Sequence, residues 1–137
     1  MDNSIKIGKY MKIIVESDET LMSMVPKDKI FGLIAHEKTT YPYIVYSRSA
    51  LNPQYNKSLG LDNGVGHTNI VQITVDCHGN DYEESIEVAN AFRNALEGKG
   101  YKSKDIYVER FQLTSCYETT NGEGDFSQVL VFQTEVK

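Results

Sequence analysis

Cysteine is scarce in this sequence, and tryptophan is missing altogether. The chain of 137 residues has two cysteines, three prolines and no tryptophan. A small domain that depends on disulfides carries more cysteines in a shorter chain, so we exclude a disulfide-built framework. We expect Cys77 and Cys116 to be free thiols in a reducing, intracellular compartment.

A long uninterrupted apolar run is also lacking at the start of the chain. Residues 1–17, MDNSIKIGKYMKIIVES, mix apolar side chains with charged and polar ones. A signal peptide needs an apolar central segment, and a membrane-spanning helix needs a longer one still. The sequence therefore predicts no signal peptide and no membrane partner.

Positive charge is in the minority. Fourteen Lys and Arg stand against nineteen Asp and Glu, which gives a net charge of −5 at pH 7. Proteins that bind nucleic acid through its phosphates usually present a basic patch, and no basic run occurs here, so we expect no specific nucleic-acid binding. Apolar residues make up 40% of the chain, and its length predicts one domain over residues 1–137 with a genuine core.

The first half of the chain contains two helical and two extended patterns. Apolar residues recur at helical spacing over residues 4–16, and Asp18 can cap a second short helical turn that Pro26 closes. Residues 30–34 fit a short strand, and residues 43–50 fit a longer one. Residues 51–66, LNPQYNKSLGLDNGVG, have no period and predict a long irregular loop, which is typical of functional or disordered segments.

The second half contains the clearest local patterns. Residues 69–79 alternate between an apolar face and a polar face, which predicts a half-buried strand. Residues 81–97 predict a helix with Asp81 as its N-cap and Glu84 completing a capping box. Residues 106–119 and 125–136 predict two long strands joined by the hairpin loop NGEGD.

The two long strands differ in detail. A change of phase near Glu109–Arg110 predicts a bulge or bend, after which Phe111, Leu113, Ser115 and Tyr117 would share one face. Residues 129–132 are apolar on both faces, so the last strand should be covered on both sides. The order of elements predicts an α+β fold: a mainly antiparallel sheet of about four strands, with an N-terminal helix and one long central helix packed on one face.

The stretch DCHGNDYEE, residues 76–84, has the composition of a catalytic or metal site. Strand alternation, however, sends Cys77 and His78 to opposite faces, so they cannot share a metal ion. The carboxylates are explained by the start of a helix, where one caps and others meet the helix dipole. We therefore predict no catalytic, metal-binding or cofactor-binding residue, and the alternative is a small-molecule enzyme or ligand site at Asp76, His78 and Glu84.

Nine tyrosines are many for a domain of this size. Tyrosine is enriched in protein interfaces, but it also has a high propensity for strands. Both interpretations fit the positions of the tyrosines equally well.

Four features in order resemble the tail-completion proteins of long-tailed bacteriophages and prophages, which close the tail tube and join it to the head. They are an N-terminal helix leading into ETLMSMVPKDKIFGL, the proline-led strand YPYIVYS, the strand-to-helix segment VQITVDCHGNDYEESIEVANAFRNAL, and a terminal pair of long strands. The resemblance covers most of the chain except residues 51–66. It implies a tail terminator or head–tail joining protein that has no catalytic activity and no cofactor.

The resemblance also implies partners and a location. Such proteins act as rings, so the partners would be other copies of the chain, the tail-tube protein and the head-connector protein. The chain would lie in the bacterial host cytoplasm during assembly and then at the head–tail junction of the virion. Loops carry function on a rigid scaffold, so we predict interface residues in the long loop and the hairpin tip: Tyr55, Asn56, Lys57, Leu59, Leu61, Glu123 and Asp125.

Overall fold

The computed structural model describes residues 4–54 and 68–137, which contain three α-helices and seven β-strands. The helices are α1 (Ile7–Glu16), α2 (Glu19–Met24) and α3 (Tyr82–Leu96). The strands are β1 (Ile30–Gly32), β2 (Tyr43–Gln54), β3 (Thr68–Gly79), β4 (Tyr101–Lys102), β5 (Tyr107–Val108), β6 (Gln112–Thr120) and β7 (Phe126–Val136). Among these helices, none is long and apolar enough to cross a membrane.

All seven strands form one curled sheet in the order β1-β2-β3-β7-β5-β4, and β6 also pairs with β7. β1 runs parallel to β2, whereas every other pair is antiparallel. The side of β7 that faces away from β3 is shared, because residues 126–133 pair with β6 and Val136 pairs with Val108 of β5. The sheet is therefore mixed, with β1 at one edge and β6 and β4 at the other.

The predicted fold class is wrong. The sequence patterns predicted a mainly antiparallel sheet of about four strands with one N-terminal and one central helix, but the described residues form a curled mixed sheet of seven strands and three helices. β4 and β5 have two residues each, which is too short for any periodicity to appear. The parallel pairing of β1 depends on the path of residues 33–42, which local patterns do not determine.

The core lies between the three helices and one face of the sheet. Val71, Ile73, Val75 and Cys77 of β3 are at most 1% exposed. The alternate residues Gln72, Thr74, Asp76 and His78 are half-buried on the other face. The rings of Phe92 on α3 and Phe132 on β7 lie 6.0 Å apart, and both are fully buried. Each such side chain contributes about 1.5–3 kcal/mol through burial, and the predicted alternation of residues 69–79 is confirmed.

The N-terminal helices follow the sequence pattern closely. α1 buries one stripe of apolar residues, and Asp18 caps α2 by accepting a hydrogen bond of 2.9 Å from the Leu21 N–H. Gly8 lies within α1, although glycine lowers helix stability by about 1 kcal/mol relative to alanine. A Cβ at Gly8 would lie 2.8 Å from Cε2 of Tyr46, so the glycine lets α1 pack closely against β2.

The strand predicted over residues 106–119 is two strands. β5 ends at Val108 and β6 begins at Gln112, so the bend predicted near Glu109–Arg110 is a complete break. The chain turns inward there: the Phe111 N–H donates to the Lys99 carbonyl at 2.9 Å, and the Phe111 carbonyl accepts from the Gly98 N–H at 2.8 Å. Phe111 is therefore fully buried in the core beyond the end of α3.

A second irregularity lies inside β6. The register shifts between Leu113 and Ser115, and the Thr114 hydroxyl donates to the Val131 carbonyl at 3.1 Å. Because one extra residue reverses the alternation, Leu113 shares a face with Phe132, whereas Tyr117 shares the opposite face with Val129. The prediction that Phe111, Leu113, Ser115 and Tyr117 share one face is therefore wrong.

The β2–β3 hairpin changes the extent of the predicted loop. β2 continues to Gln54, which pairs with Thr68 at the start of β3. Residues 51–54, predicted as loop, therefore belong to a strand, and the rest of the predicted loop lies outside the described residues. A bulge between Arg48 and Ala50 interrupts the pairing without ending it.

Candidate functional site

The corner between β3 and α3 contains the residues of the alternative enzyme hypothesis. The carboxylate of Asp81 accepts the Glu84 N–H at 2.7 Å, which makes Asp81 the N-cap of α3 as predicted. The carboxylate of Glu84 accepts a hydrogen bond of 2.7 Å from the Asn80 N–H. In the usual capping box it would accept from the N–H of the N-cap residue Asp81, so the predicted box forms with the preceding residue instead. Glu84 is therefore occupied in holding the start of the helix.

Gly79 makes the corner sharp enough to bring the helix against the sheet. A Cβ at this position would lie 2.5 Å from the backbone nitrogen of Ser85 and 2.9 Å from its Cα. Ser85 itself is fully buried, and its hydroxyl donates to the Tyr82 carbonyl at 2.7 Å. No side chain larger than hydrogen fits between the end of β3 and the first turn of α3.

Strand alternation separates the remaining residues of this stretch. Cys77 points into the core, and its complete burial raises the pKa of the thiol well above its ordinary range. Asp76 and His78 lie on the opposite, outer face of the sheet, while Glu84 belongs to the helix on the core side. The three residues of the alternative hypothesis are therefore not brought together.

The outer face instead brings His78 to Asp125, which lies 47 positions further along the chain. The His78 Nδ1 lies 3.0 Å from Oδ1 and 3.2 Å from Oδ2 of Asp125, and both side chains are 15% exposed. The imidazole also stacks on the ring of Tyr43, with centroids 4.5 Å apart and planes inclined by 12°. Through these contacts, the loop of the β6–β7 hairpin is joined to β3 and β2.

Further rings extend this contact into an aromatic row made of Phe31, His36, Tyr41, Tyr43 and His78. Tyr43 lies 5.5 Å from Tyr41 and 6.5 Å from Phe31, and Phe31 lies 5.0 Å from His36, measured between ring centroids. Burial and then the charge of Asp125 raise the pKa of Tyr41 and of Tyr43, and the Tyr41 hydroxyl also bonds to Asp125. The aromatic row is therefore a packed layer of rings, and the carboxylate of Asp125 is the hydrogen-bond partner of both Tyr41 and His78.

Asp76 lies beside this layer as a half-buried carboxyl. Its neighbours across the sheet are Val45 on β2 and Val129 on β7. Burial raises the pKa of Asp76, and the nearby Asp125 raises it further, while His78 acts in the opposite direction. Among residues 4–54 and 68–137, no group of three His, Cys, Asp or Glu side chains is arranged to hold a metal ion.

A cavity of about 270 Å³ opens on the core side of the sheet, between the start of α3 and the β6–β7 hairpin. The Gln128 amide donates to the Glu118 carboxylate at 2.8 Å, and hydrogen bonds from Tyr82 and Gln128 lower the pKa of Glu118. The surface of the cavity is mainly apolar, and none of Asp76, His78 or Glu84 lines it. The lining residues are Tyr82, Glu118, Thr119, Thr120, Phe126, Ser127 and Gln128.

The hairpin tip holds the two predicted interface residues that the structure describes. Glu123 is exposed between Gly122 and Gly124, which both have positive φ. Asp125 is held by His78, and its carbonyl accepts the Thr120 hydroxyl at 2.7 Å. The other predicted interface residues lie outside the described part of the chain: Tyr55, Asn56, Lys57, Leu59 and Leu61.

Sequence patterns did not identify the aromatic row or the cavity. The alternation of residues 69–79 correctly placed His78 on the outer face, and tyrosine is abundant in the sequence. The pairing of Tyr43 with His78 and the approach of Asp125 depend on the register of β2, β3 and β7, which spans long sequence separations. No local signal contains that register.

No protein-family model matches the sequence, and no curated protein sequence matches it. Solved structures do match. A chain of the virion of a native gene transfer agent (GTA) particle aligns with a TM-score of 0.74 over 95% of this chain and 96% of that chain, at 11% sequence identity. The likeness is one of fold. A second solved chain aligns with a TM-score of 0.58 over 100% of this chain and 96% of its own, at 16% identity.

Proposed function

We propose that this chain is a non-enzymatic virion assembly protein of a phage, prophage or phage-like particle. The observation that carries the proposal is the fold shared with a chain of the GTA virion over almost the whole length of both chains. The sequence resemblance to tail-completion proteins supports it independently, because the four features that carry that resemblance do not come from the structural alignment.

In its finer form, the proposal is that the chain completes the tail or joins it to the head as a ring of identical subunits. Its partners are other copies of itself, the tail-tube protein and the head-connector protein, and its final location is the head–tail junction. The long exposed strand β6 and the exposed hairpin tip around Glu123 support this role, since assembly surfaces need exposed backbone and side chains.

The geometry of the β3–α3 corner supports the absence of catalysis. Glu84 accepts a backbone hydrogen bond at the helix start, and Asp76 and His78 lie on the other face of the sheet. A general acid and base must reach one substrate together, and Glu84 does not lie on the face of the sheet that holds Asp76 and His78. The Nδ1 of His78 is engaged by Asp125, and the imidazole ring is stacked on Tyr43.

The test is removal of the gene from the phage or prophage that encodes the chain. We expect DNA-filled heads and separate tails in electron micrographs, with infectious particles restored by the wild-type chain supplied in trans. The isosteric variant Asp76→Asn should restore them equally well, because it removes a carboxyl without disturbing the sheet. Normal particles without the gene would contradict the proposal, and failure of Asp76→Asn alone would favour the enzyme alternative.

The predicted interface residues in the β2–β3 connection need a separate test. The β2–β3 ladder ends at the pair Gln54–Thr68, so an Asn-Gly turn can replace residues 55–67 and close the hairpin. We expect this shortened chain to keep the thermal midpoint of the wild type but to fail to restore particles. Full restoration by the shortened chain would remove this group from the interface: Tyr55, Asn56, Lys57, Leu59 and Leu61.

A further inference from the structure

Two large apolar side chains are exposed directly after β1. Leu33 is 75% exposed and Ile34 is 80% exposed. Their backbone is nevertheless held, because the Leu33 N–H donates to the Tyr46 carbonyl and the Ile34 N–H donates to the Gly32 carbonyl, both at 2.8 Å. We call Leu33 and Ile34 the apolar tip, and its conformation is defined while its side chains remain uncovered by the rest of the described chain.

The backbone of the apolar tip is also strained. Leu33 has a φ of 69°, in the left-handed region that side chains other than those of Gly, Asn and Asp seldom adopt. A glycine would be expected there if only the turn mattered. Retaining an exposed leucine at such a position is a stability cost without a packing gain inside the subunit, which points to a gain outside it.

The cavity beside α3 has the complementary character. Its walls include the half-exposed ring of Tyr82 and the ring of Phe126, and Ile86, 41% exposed, extends the apolar surface one turn along α3. At about 270 Å³ the cavity has room for a branched aliphatic side chain. It is an open apolar recess rather than a filled part of the core.

The charges around the two surfaces are of opposite sign. The apolar tip is flanked along the chain by three lysines against two carboxylates: Lys27, Lys29, Lys38, Asp28 and Glu37. Glu118 lines the cavity, and the sequence has no Lys or Arg between Lys57 and Arg93 or between Arg110 and Lys137. Along the chain, Asp81 and Glu83 are the neighbours of the lining residue Tyr82, and Glu123 lies in the loop between the two hairpin strands that line the cavity.

The two surfaces belong to opposite edges of one sheet. β1, which leads into the apolar tip, forms one edge, and the β6–β7 hairpin beside the cavity lies at the other. We propose that copies of this chain associate head to tail, with the apolar tip of one copy inserted into the cavity of the next. This inference rests on the proposed function and deepens it, since contact between two different patches generates rings when the rotation closes.

The first experiment measures self-association of the full chain by sedimentation across a concentration series. Ile34→Asp puts a charge on the tip, and Tyr82→Ser removes one wall of the cavity. Each should weaken association at least about tenfold, because burial of one large apolar side chain is lost. The matched control is Ile5→Asp, the same change at another exposed isoleucine, which should associate like the wild type.

Mixing the two variants distinguishes this contact from any other. The Ile34→Asp copy keeps an intact cavity and the Tyr82→Ser copy keeps an intact tip, so one good interface remains between them. We expect a one-to-one mixture to form dimers and nothing larger. A mixture that stays monomeric, or one that assembles like the wild type, would overturn the inference.

A cross-link tests the contact directly. In a Cys116→Ser background, a copy with Ile34→Cys and a copy with Glu118→Cys should form a disulfide-linked dimer on oxidation. Cys77 cannot interfere because it is fully buried. A copy with Ser23→Cys, exposed on α2, replaces the tip partner as the control and should give no dimer. Equal yields from the two pairs would overturn the inference.

The variant Leu33→Gly separates the effect of the tip on association from its effect on stability. Glycine relieves the positive φ, so the thermal midpoint should stay unchanged or rise, while association should weaken. The outcomes for the tip contact and for the proposed function can be told apart. If the variants associate like the wild type, or if the wild type itself stays monomeric, the tip contact is refuted, and the proposed function stands as long as particles require the chain. If particles form normally without the chain, the proposed function is refuted.

Discussion

The two strands of the last hairpin differ in apolar content and lie in very different surroundings. In β7, residues 127–132 are all buried, including Val129 and Val131 on the outer face. In β6, only Leu113 is half-buried and the other residues are exposed. β7 lies between β3 and β6, whereas β6 pairs with β7 alone among the strands that the structure describes.

This difference shows that position in the sheet contributes to burial in addition to residue type. A strand with neighbours on both sides and a helix over one face loses most of its contact with water, even where its residues are polar, as for Ser127 and Gln128. An edge strand keeps an unpaired row of backbone donors and acceptors, which is available for another chain. The interior strands should therefore control folding and the edge strand assembly.

The largest expected difference is in thiol reactivity, because each class of strand carries one cysteine. Cys77 is buried in β3 and Cys116 is exposed in β6. We expect Cys116 to react at least about a thousandfold faster with a thiol reagent, since Cys77 reacts only when the core opens. The folded Cys116→Ser variant should show only the slow reaction, and both thiols should react in denaturant. Two fast thiols in the folded wild type would contradict the assignment.

The next difference is in stability. Phe132→Ala should lower the free energy of unfolding by about 3–5 kcal/mol, because Phe132 is fully buried against Phe92. Tyr117→Ala, on β6 and 51% exposed, should change it by no more than about 0.5 kcal/mol. Urea unfolding of both variants measures the two values. Equal losses would mean that β6 is packed as firmly as β7.

The smallest expected effect concerns pH. Burial raises the pKa of Asp76 in the folded chain above its value of 3.8 in the unfolded chain, so the folded state binds the proton more tightly. The ionised carboxyl therefore destabilises the fold: stability falls as pH rises from 3.8 through the folded pKa, and the loss persists at neutral pH. Asp76→Asn should raise the melting temperature at pH 7 and lose this advantage near pH 3. Thermal melts of the wild type and the variant from pH 3 to pH 7 measure this effect. A lower melting temperature of Asp76→Asn than of the wild type at pH 7 would contradict the expected direction.

The elements that the sequence predicted well are those determined by near neighbours in the chain. The alternation of residues 71–77 and the capping residues Asp81 and Glu84 act over two to four positions, and β3 and α3 follow them closely. The same holds for Asp18 at the start of α2. A period or a cap is a local property, so it survives without knowledge of the tertiary structure.

The elements that the sequence missed depend on distant partners. The break at Glu109–Arg110 is stabilised by Gly98 and Lys99, and the parallel pairing of β1 depends on β2. The face assignment failed at Thr114, where one additional residue reversed the alternation. The contact of His78 with Asp125 depends on the register of β3 and β7. Local sequence patterns therefore could not predict the aromatic row.

Gly79 has a further consequence for comparing this chain with homologous chains. The backbone of Ser85 lies too close to residue 79 for a side chain to fit. We therefore expect any substitution of Gly79 to be selected against, even if residue 79 contacts no partner. An invariant glycine at this position among homologues would then record the closeness of strand and helix, and not an active site. Conservation that marks recognition should be sought instead at exposed positions whose side chains the subunit itself does not use, and Leu33 and Ile34 are the first to examine.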